Sequence, residues 1–104
     1  MKLYHTTDAA QAILADGFRD STGSCGLVDA QDRPFMLTGV FISDQIVDIN
    51  EGATGDDVIE LTLPDDFDLD YWELIEEGKP YREWCVPGEV LNQFPRRLLT
   101  DEEI

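Results

Sequence analysis

The stretch Tyr81-Arg82-Glu83-Trp84-Cys85-Val86-Pro87 reads as a short strand stopped by a proline. Side chains alternate along a strand, so Tyr81, Glu83 and Cys85 share one face while Arg82, Trp84 and Val86 share the other. Glu83 is then a carboxylate flanked on its own face by an aromatic ring and a thiol. A solvated strand face would more usually repeat polar residues. A carboxylate so placed suits the floor of a binding cleft, provided that groups from other strands meet it there.

Outward from this strand, the chain alternates short apolar runs with turn residues. Lys2 to Thr6 reads as a first strand. Asp8 is a good N-cap for a helix, with Gln11 three residues on, and Gly17 is placed to end that helix before Phe18 and Arg19. Residues 20–36 carry turn chemistry without a sustained period and read as a long loop. Met36 to Ser43 reads as a second strand, with Gly39, Phe41 and Ser43 on one face and Val40 and Ile42 on the other. Ser43 or Asp44 is suited to cap a short helix over Gln45 to Asn50.

Val58 to Leu63 is the clearest strand of the chain, and Pro64 stops it. Tyr71 to Ile75 fits a strand better than a helical turn. Gly78-Lys79-Pro80 turns into the Glu83 strand, Pro87 to Asn92 reads as a helical turn, and Arg96 to Leu99 as a last strand at a sheet edge. Six or seven short strands with two or three short helices make an α+β fold. Mixed or antiparallel pairing is expected, because the helices are too short and irregular for repeated βαβ units.

The 104 residues point to one domain spanning 1–104, and 42% hydrophobic content is enough to close its core. No apolar run is long enough to span a membrane. The polar start Met1 to Thr6 is unlike a signal peptide, so a cytoplasmic location is expected. Cys25 and Cys85 read as free thiols in that setting, though sequence gives no distance with which to exclude a disulfide. One His and two scattered Cys argue against a zinc site.

Charge is the outlying property: 23 acidic residues against seven basic give a formal −16. Such a field repels a phosphate backbone and disfavours direct nucleic-acid binding, while it favours basic partners. The run from Asp65 to Glu77 holds seven acidic residues and no basic one. It reads as a solvated loop or, more sharply, as a DNA-like face.

Three segments stand in order: Leu3-Tyr4-His5-Thr6-Thr7, with the helix after it ending in Gly17-Phe18-Arg19; Gly39-Val40-Phe41-Ile42-Ser43-Asp44; and Tyr81-Arg82-Glu83-Trp84-Cys85-Val86-Pro87. Together they resemble the ADP-ribosyltransferase superfamily of the diphtheria-toxin and poly(ADP-ribose)-polymerase type. That branch carries a His, a Tyr and a Glu on three separate strands of a split sheet. The resemblance covers most of the chain as an ordered pattern. It implies a split, mainly antiparallel two-sheet core and NAD as the substrate, with no metal.

Residue by residue, the resemblance implies that His5 hydrogen-bonds a ribose hydroxyl of NAD and that the backbone at Thr6 holds the nicotinamide carboxamide. Phe41 stacks on the nicotinamide ring, with Ser43 beside it in the same binding set. Glu83 binds the 2′-hydroxyl of the nicotinamide ribose and stabilises the transition state, making Glu83 and His5 the catalytic pair. Arg19 and Arg33 become the local counter-charges for the pyrophosphate. Two positions depart from the pattern: Thr6 stands where Gly is usual, and Phe41 keeps the ring but lacks the hydroxyl.

The chemistry is sound in its own terms. Breaking the nicotinamide–ribose bond develops positive charge on the sugar, as in glycoside hydrolysis. A carboxylate aimed at that charge stabilises the transition state more than the ground state. Each residue also has a plain structural reading: His5 as a strand histidine bonded to a neighbouring carbonyl, Phe41 as core, Glu83 as the partner of Arg82, Arg96 or Arg97. The expected function is cleavage of NAD with transfer of ADP-ribose, or NAD hydrolysis, a basic protein suiting the charge as acceptor. The alternative is a non-catalytic acidic binding or inhibitor protein on the same fold. An RNA 2′-phosphotransferase relative would need more basic residues than this chain has.

Overall fold

The computed structural model describes all residues except Asp29, 47–54, 75–77 and Lys79, and only the main chain of 24–28 and 34–35. Seven strands and two short α-helices are described: β1 (Lys2–Thr7), α1 (Ala10–Asp16), β2 (Ser21–Val28), β3 (Pro34–Ser43), β4 (Asp57–Thr62), β5 (Glu73–Leu74), β6 (Glu83–Val86), α2 (Gly88–Leu91) and β7 (Arg96–Leu98). The fold is α+β. The strands run in the order β5-β6-β3-β1-β4-β7 with β2 joined to β3, and every pairing is antiparallel.

Strand β3 decides the geometry, because it pairs with β2, with β6 and, at one residue, with β1. Its first half pairs with β2 from Pro34 to Gly39, and its second half pairs with β6 from Val40 to Ser43. The change comes at Gly39, whose φ is 156°. A Cβ there would stand 2.8 Å from Cys85 Sγ and 3.1 Å from the Val86 carbonyl oxygen, so only Gly admits so close a crossing. Strands β1 and β3 share a single Cα partnership, Tyr4 with Ser43, whereas β1 and β4 pair continuously from Lys2 to Thr7. The sheet therefore has a thin seam between β1 and β3.

One face of the sheet is the core. Leu3, Ile42, Ile59, Leu61, Trp84 and Val86 point there and are buried, with Ala10 and Ile13 of α1, Phe18 and Leu91 packed against them. Burying a Leu or Ile side chain contributes about 1.5–3 kcal/mol, so this cluster is what holds the strands in register. The segment after α1 is tied down by α2. Phe18 N–H donates to Asn92 Oδ1 at 2.7 Å, Asn92 Nδ2 donates to the Phe18 carbonyl at 3.1 Å, and Gly88 N–H donates to Asp20 Oδ1 at 2.7 Å. A Cβ on Gly88 would lie 2.9 Å from the Phe18 oxygen, so this contact too needs glycine.

Several expectations are corrected. The long loop over 20–36 is mostly the β2–β3 hairpin. Its β2 strand is Ser/Gly-rich and lacks alternation, and it is held by main-chain pairing with a Thr22–Thr38 hydroxyl contact of 2.7 Å. Asp8 does not cap α1: the N-cap is Ala9, and the hydroxyl of Thr7 accepts from Ala9 N–H at 3.0 Å. Residues 70–74 divide between a 3-10 turn (Asp70–Trp72) and the two residues of β5. The acidic end (Asp101–Glu103) forms a 3-10 turn with a Thr100–Glu103 capping box. Of the helix expected over Gln45 to Asn50, Gln45 and Ile46 are not helical and 47–50 lie outside the described residues, as do the end of the acidic run at 75–77 and the side chain of Cys25. Cys85 is a buried thiol.

Candidate functional site

The strands carrying Glu83, Phe41 and His5 are consecutive neighbours, β6-β3-β1. Directly opposed residues of antiparallel strands share a face. Glu83 pairs with Ser43, and Ser43 pairs with Tyr4, so these three form one row across three strands. Phe41, paired with Cys85, lies two residues along β3 on the same face, as does Thr6 by alternation along β1. The Phe41 ring lies under β2, where a Cβ on Gly23 would be 3.6 Å from its edge.

His5 is offset by one residue from this row and belongs to the opposite, core face. Its ring meets Phe18 edge-on at 5.5 Å between centroids. Its Nδ1–H donates to the Phe41 carbonyl at 2.7 Å, across the seam where β1 and β3 have ceased to pair. A carbonyl only accepts, so this bond fixes the Nδ1–H tautomer and leaves Nε2 as an acceptor. Burial holds the ring's pKa below its ordinary value, and the hydrogen bond to Phe41, which favours the protonated form, offsets only part of this. The bond is the one the plain structural reading describes; it also couples the first motif of the chain to the second.

Glu83 is half-buried. The three arginines weighed as its partners are bound elsewhere: Arg82 pairs with Glu73, Arg97 with Glu60 and Glu103, and Arg96 Nε donates to the Ile13 carbonyl at 3.2 Å. The guanidinium of Arg82 also lies 5.0 Å from the Trp84 ring centroid, on the face away from Glu83. Ser43 is buried, and its hydroxyl donates to the Gln45 carbonyl at 2.6 Å, leaving it only acceptor capacity toward a ligand. Asp44 closes the same corner, accepting from Arg82 N–H at 2.9 Å.

Arg19 is exposed beyond Phe18, on the segment that Asn92 clamps, and Arg33 is exposed at the β2–β3 turn, where it donates to Gln31. Neither is on β6, β3 or β1. The structure thus brings together Glu83, Ser43, Phe41 and Thr6 on one face, links His5 to them through a main-chain oxygen, and sets Arg19 apart. Sequence reasoning missed Asn92 and Asp20, which hold the Phe18 segment under His5, and Tyr4, the neighbour of Ser43 in the Glu83 row. Tyr4 had a signal, since it alternates with Lys2 and Thr6. Asn92 had none, because its partner lies 74 residues away.

No family model, no curated protein and no solved structure matches this chain.

Proposed function

We propose that the chain is a small ADP-ribosyltransferase-like protein, built on that superfamily's split-sheet core, that binds NAD at the β1–β3 seam and cleaves its nicotinamide–ribose bond. The observation that carries this reading is the adjacency of β6, β3 and β1, which makes neighbours of three motifs far apart in sequence. A nicotinamide ribose at the seam meets the Phe41–Glu83 face, and His5, on the core face, acts on it through the Phe41 main chain that it holds. The C1′–N bond breaks with its electron pair leaving on nicotinamide. Glu83 offsets the positive charge left on the ribose, and an acceptor hydroxyl, amine or water adds to C1′ and loses its proton. Donors and carboxylates fixed before reaction act most strongly on such developing charge. A basic protein surface suits this molecule as acceptor.

The site is tested by adding NAD to isotopically labelled protein and following amide and imidazole resonances. Shifts centred on His5, Thr6, Phe41 and Glu83 are expected. Shifts elsewhere, or none at millimolar NAD, would remove the site.

A second reading has its own observation. Asp65, Asp66, Asp68 and Asp70 are exposed, and Tyr71 beside them is 90% exposed. An acidic surface with a projecting aromatic ring fits a non-catalytic protein that occupies a basic partner.

A further inference from the structure

Basic residues are scarce in this chain, and three of the seven, Lys2, Arg96 and Arg97, line one pocket with Glu60, Thr62 and Pro95. Its volume is about 100 Å³. Pockets for drug-sized ligands run to roughly 300–1,000 Å³, so this one suits a small ion. Lys2, Thr62, Glu60 and Arg97 share a face, because Lys2 pairs with Thr62 and Glu60 with Arg97. Glu60 is buried and holds the two cations in place: Arg97 Nε donates to it at 3.1 Å, and Lys2 Nζ stands 3.5 Å away while donating to Thr62 Oγ1 at 2.8 Å.

The other edge of Arg97 is informative. Its two terminal nitrogens donate to both oxygens of Glu103, at 3.0 and 2.7 Å. A guanidinium fork holds a phosphate in this same two-point geometry. Glu103 comes from an exposed 3-10 turn of three successive acids, and its hydrogen bonds to Arg97 carry its pKa down to about 2. Pairs this exposed are weak, because solvent screens them.

We propose that the Lys2–Arg97 pocket is a binding site for a phosphate group and that Glu103 is an internal stand-in which the phosphate displaces. The proposal does not depend on the NAD reading. Two oxygens of the phosphate take the Arg97 fork and a third takes the free donor capacity of the Lys2 ammonium. Glu60 keeps both cations aimed.

The test is titration of the whole chain at low ionic strength with inorganic phosphate, followed by 31P line width and by amide shifts at Lys2, Thr62 and Arg97. Lys2→Gln, an exposed change, should weaken binding about tenfold, the scale of one charge-assisted contact. Glu103→Gln should tighten it severalfold, an outcome that misfolding cannot produce. Arg82→Gln, at the opposite end of the sheet, should leave it unchanged. ADP-ribose competing for the same resonances would identify a pyrophosphate diester as the source of the phosphate; competition by a sugar monophosphate alone would identify a monoester. Either supports the site. No binding at tens of millimolar phosphate, or equal losses in Lys2→Gln and Arg82→Gln, would overturn it.

Discussion

His5 carries two duties that pull on the same ring. Buried against Phe18 and donating through Nδ1, it is held neutral, with a pKa below 6.5. The unfolded chain binds a proton near 6.5 that the folded ring resists. Stability from this residue is therefore complete above pH 6.5 and declines as pH falls through and below that value. Since His5 is the only histidine, its imidazole resonance reports the titration directly. We expect a midpoint below 6.5, and a slope in unfolding free energy as pH falls through 6.5 that vanishes in His5→Gln. A midpoint at or above 6.5 would show that the ring is not desolvated as described.

At the scale of elements, the clamp between the Phe18 segment and α2 positions His5 from below. Asn92→Ala removes both side-chain bonds to Phe18 and should cost about 1–3 kcal/mol, read from denaturant midpoints; an unchanged midpoint would mean the clamp contributes nothing. Elements with a periodic apolar face were legible in sequence: β1, β4, β6 and the end of α1 at Gly17. Strand β2 was not, because Ser21-Thr22-Gly23-Ser24 has turn composition and owes its extended state to main-chain pairing with β3. The site was legible as far as which strands carry it. What could not be read was the register across the seam. A slip of one residue between β1 and β3 would exchange the faces of Tyr4 and His5, and nothing local to Leu3-Tyr4-His5-Thr6 decides which of them stands in the row with Ser43 and Glu83.

For the whole molecule, the formal charge of −16 is spread over a body with a radius of gyration of 13.4 Å. Self-repulsion at that density opposes the folded state, and salt screens it over about 10 Å at 0.1 M. The melting temperature should therefore rise as NaCl is raised from about 0.05 to 0.5 M; a fall would mean that local ion pairs such as Arg97–Glu60 outweigh the global field. The same charge separates the two functional readings, since a basic partner held by the acidic surface would bind in a salt-sensitive way and be indifferent to Glu83→Gln. No described helix is long and apolar enough to cross a membrane. The account stands or falls on release of nicotinamide from NAD by the purified protein beside its Glu83→Gln variant. It predicts measurable release that drops by roughly 10²–10³ in the variant, by analogy with the loss of one fixed transition-state contact. Equal rates in the two proteins, or no release from either, would contradict it.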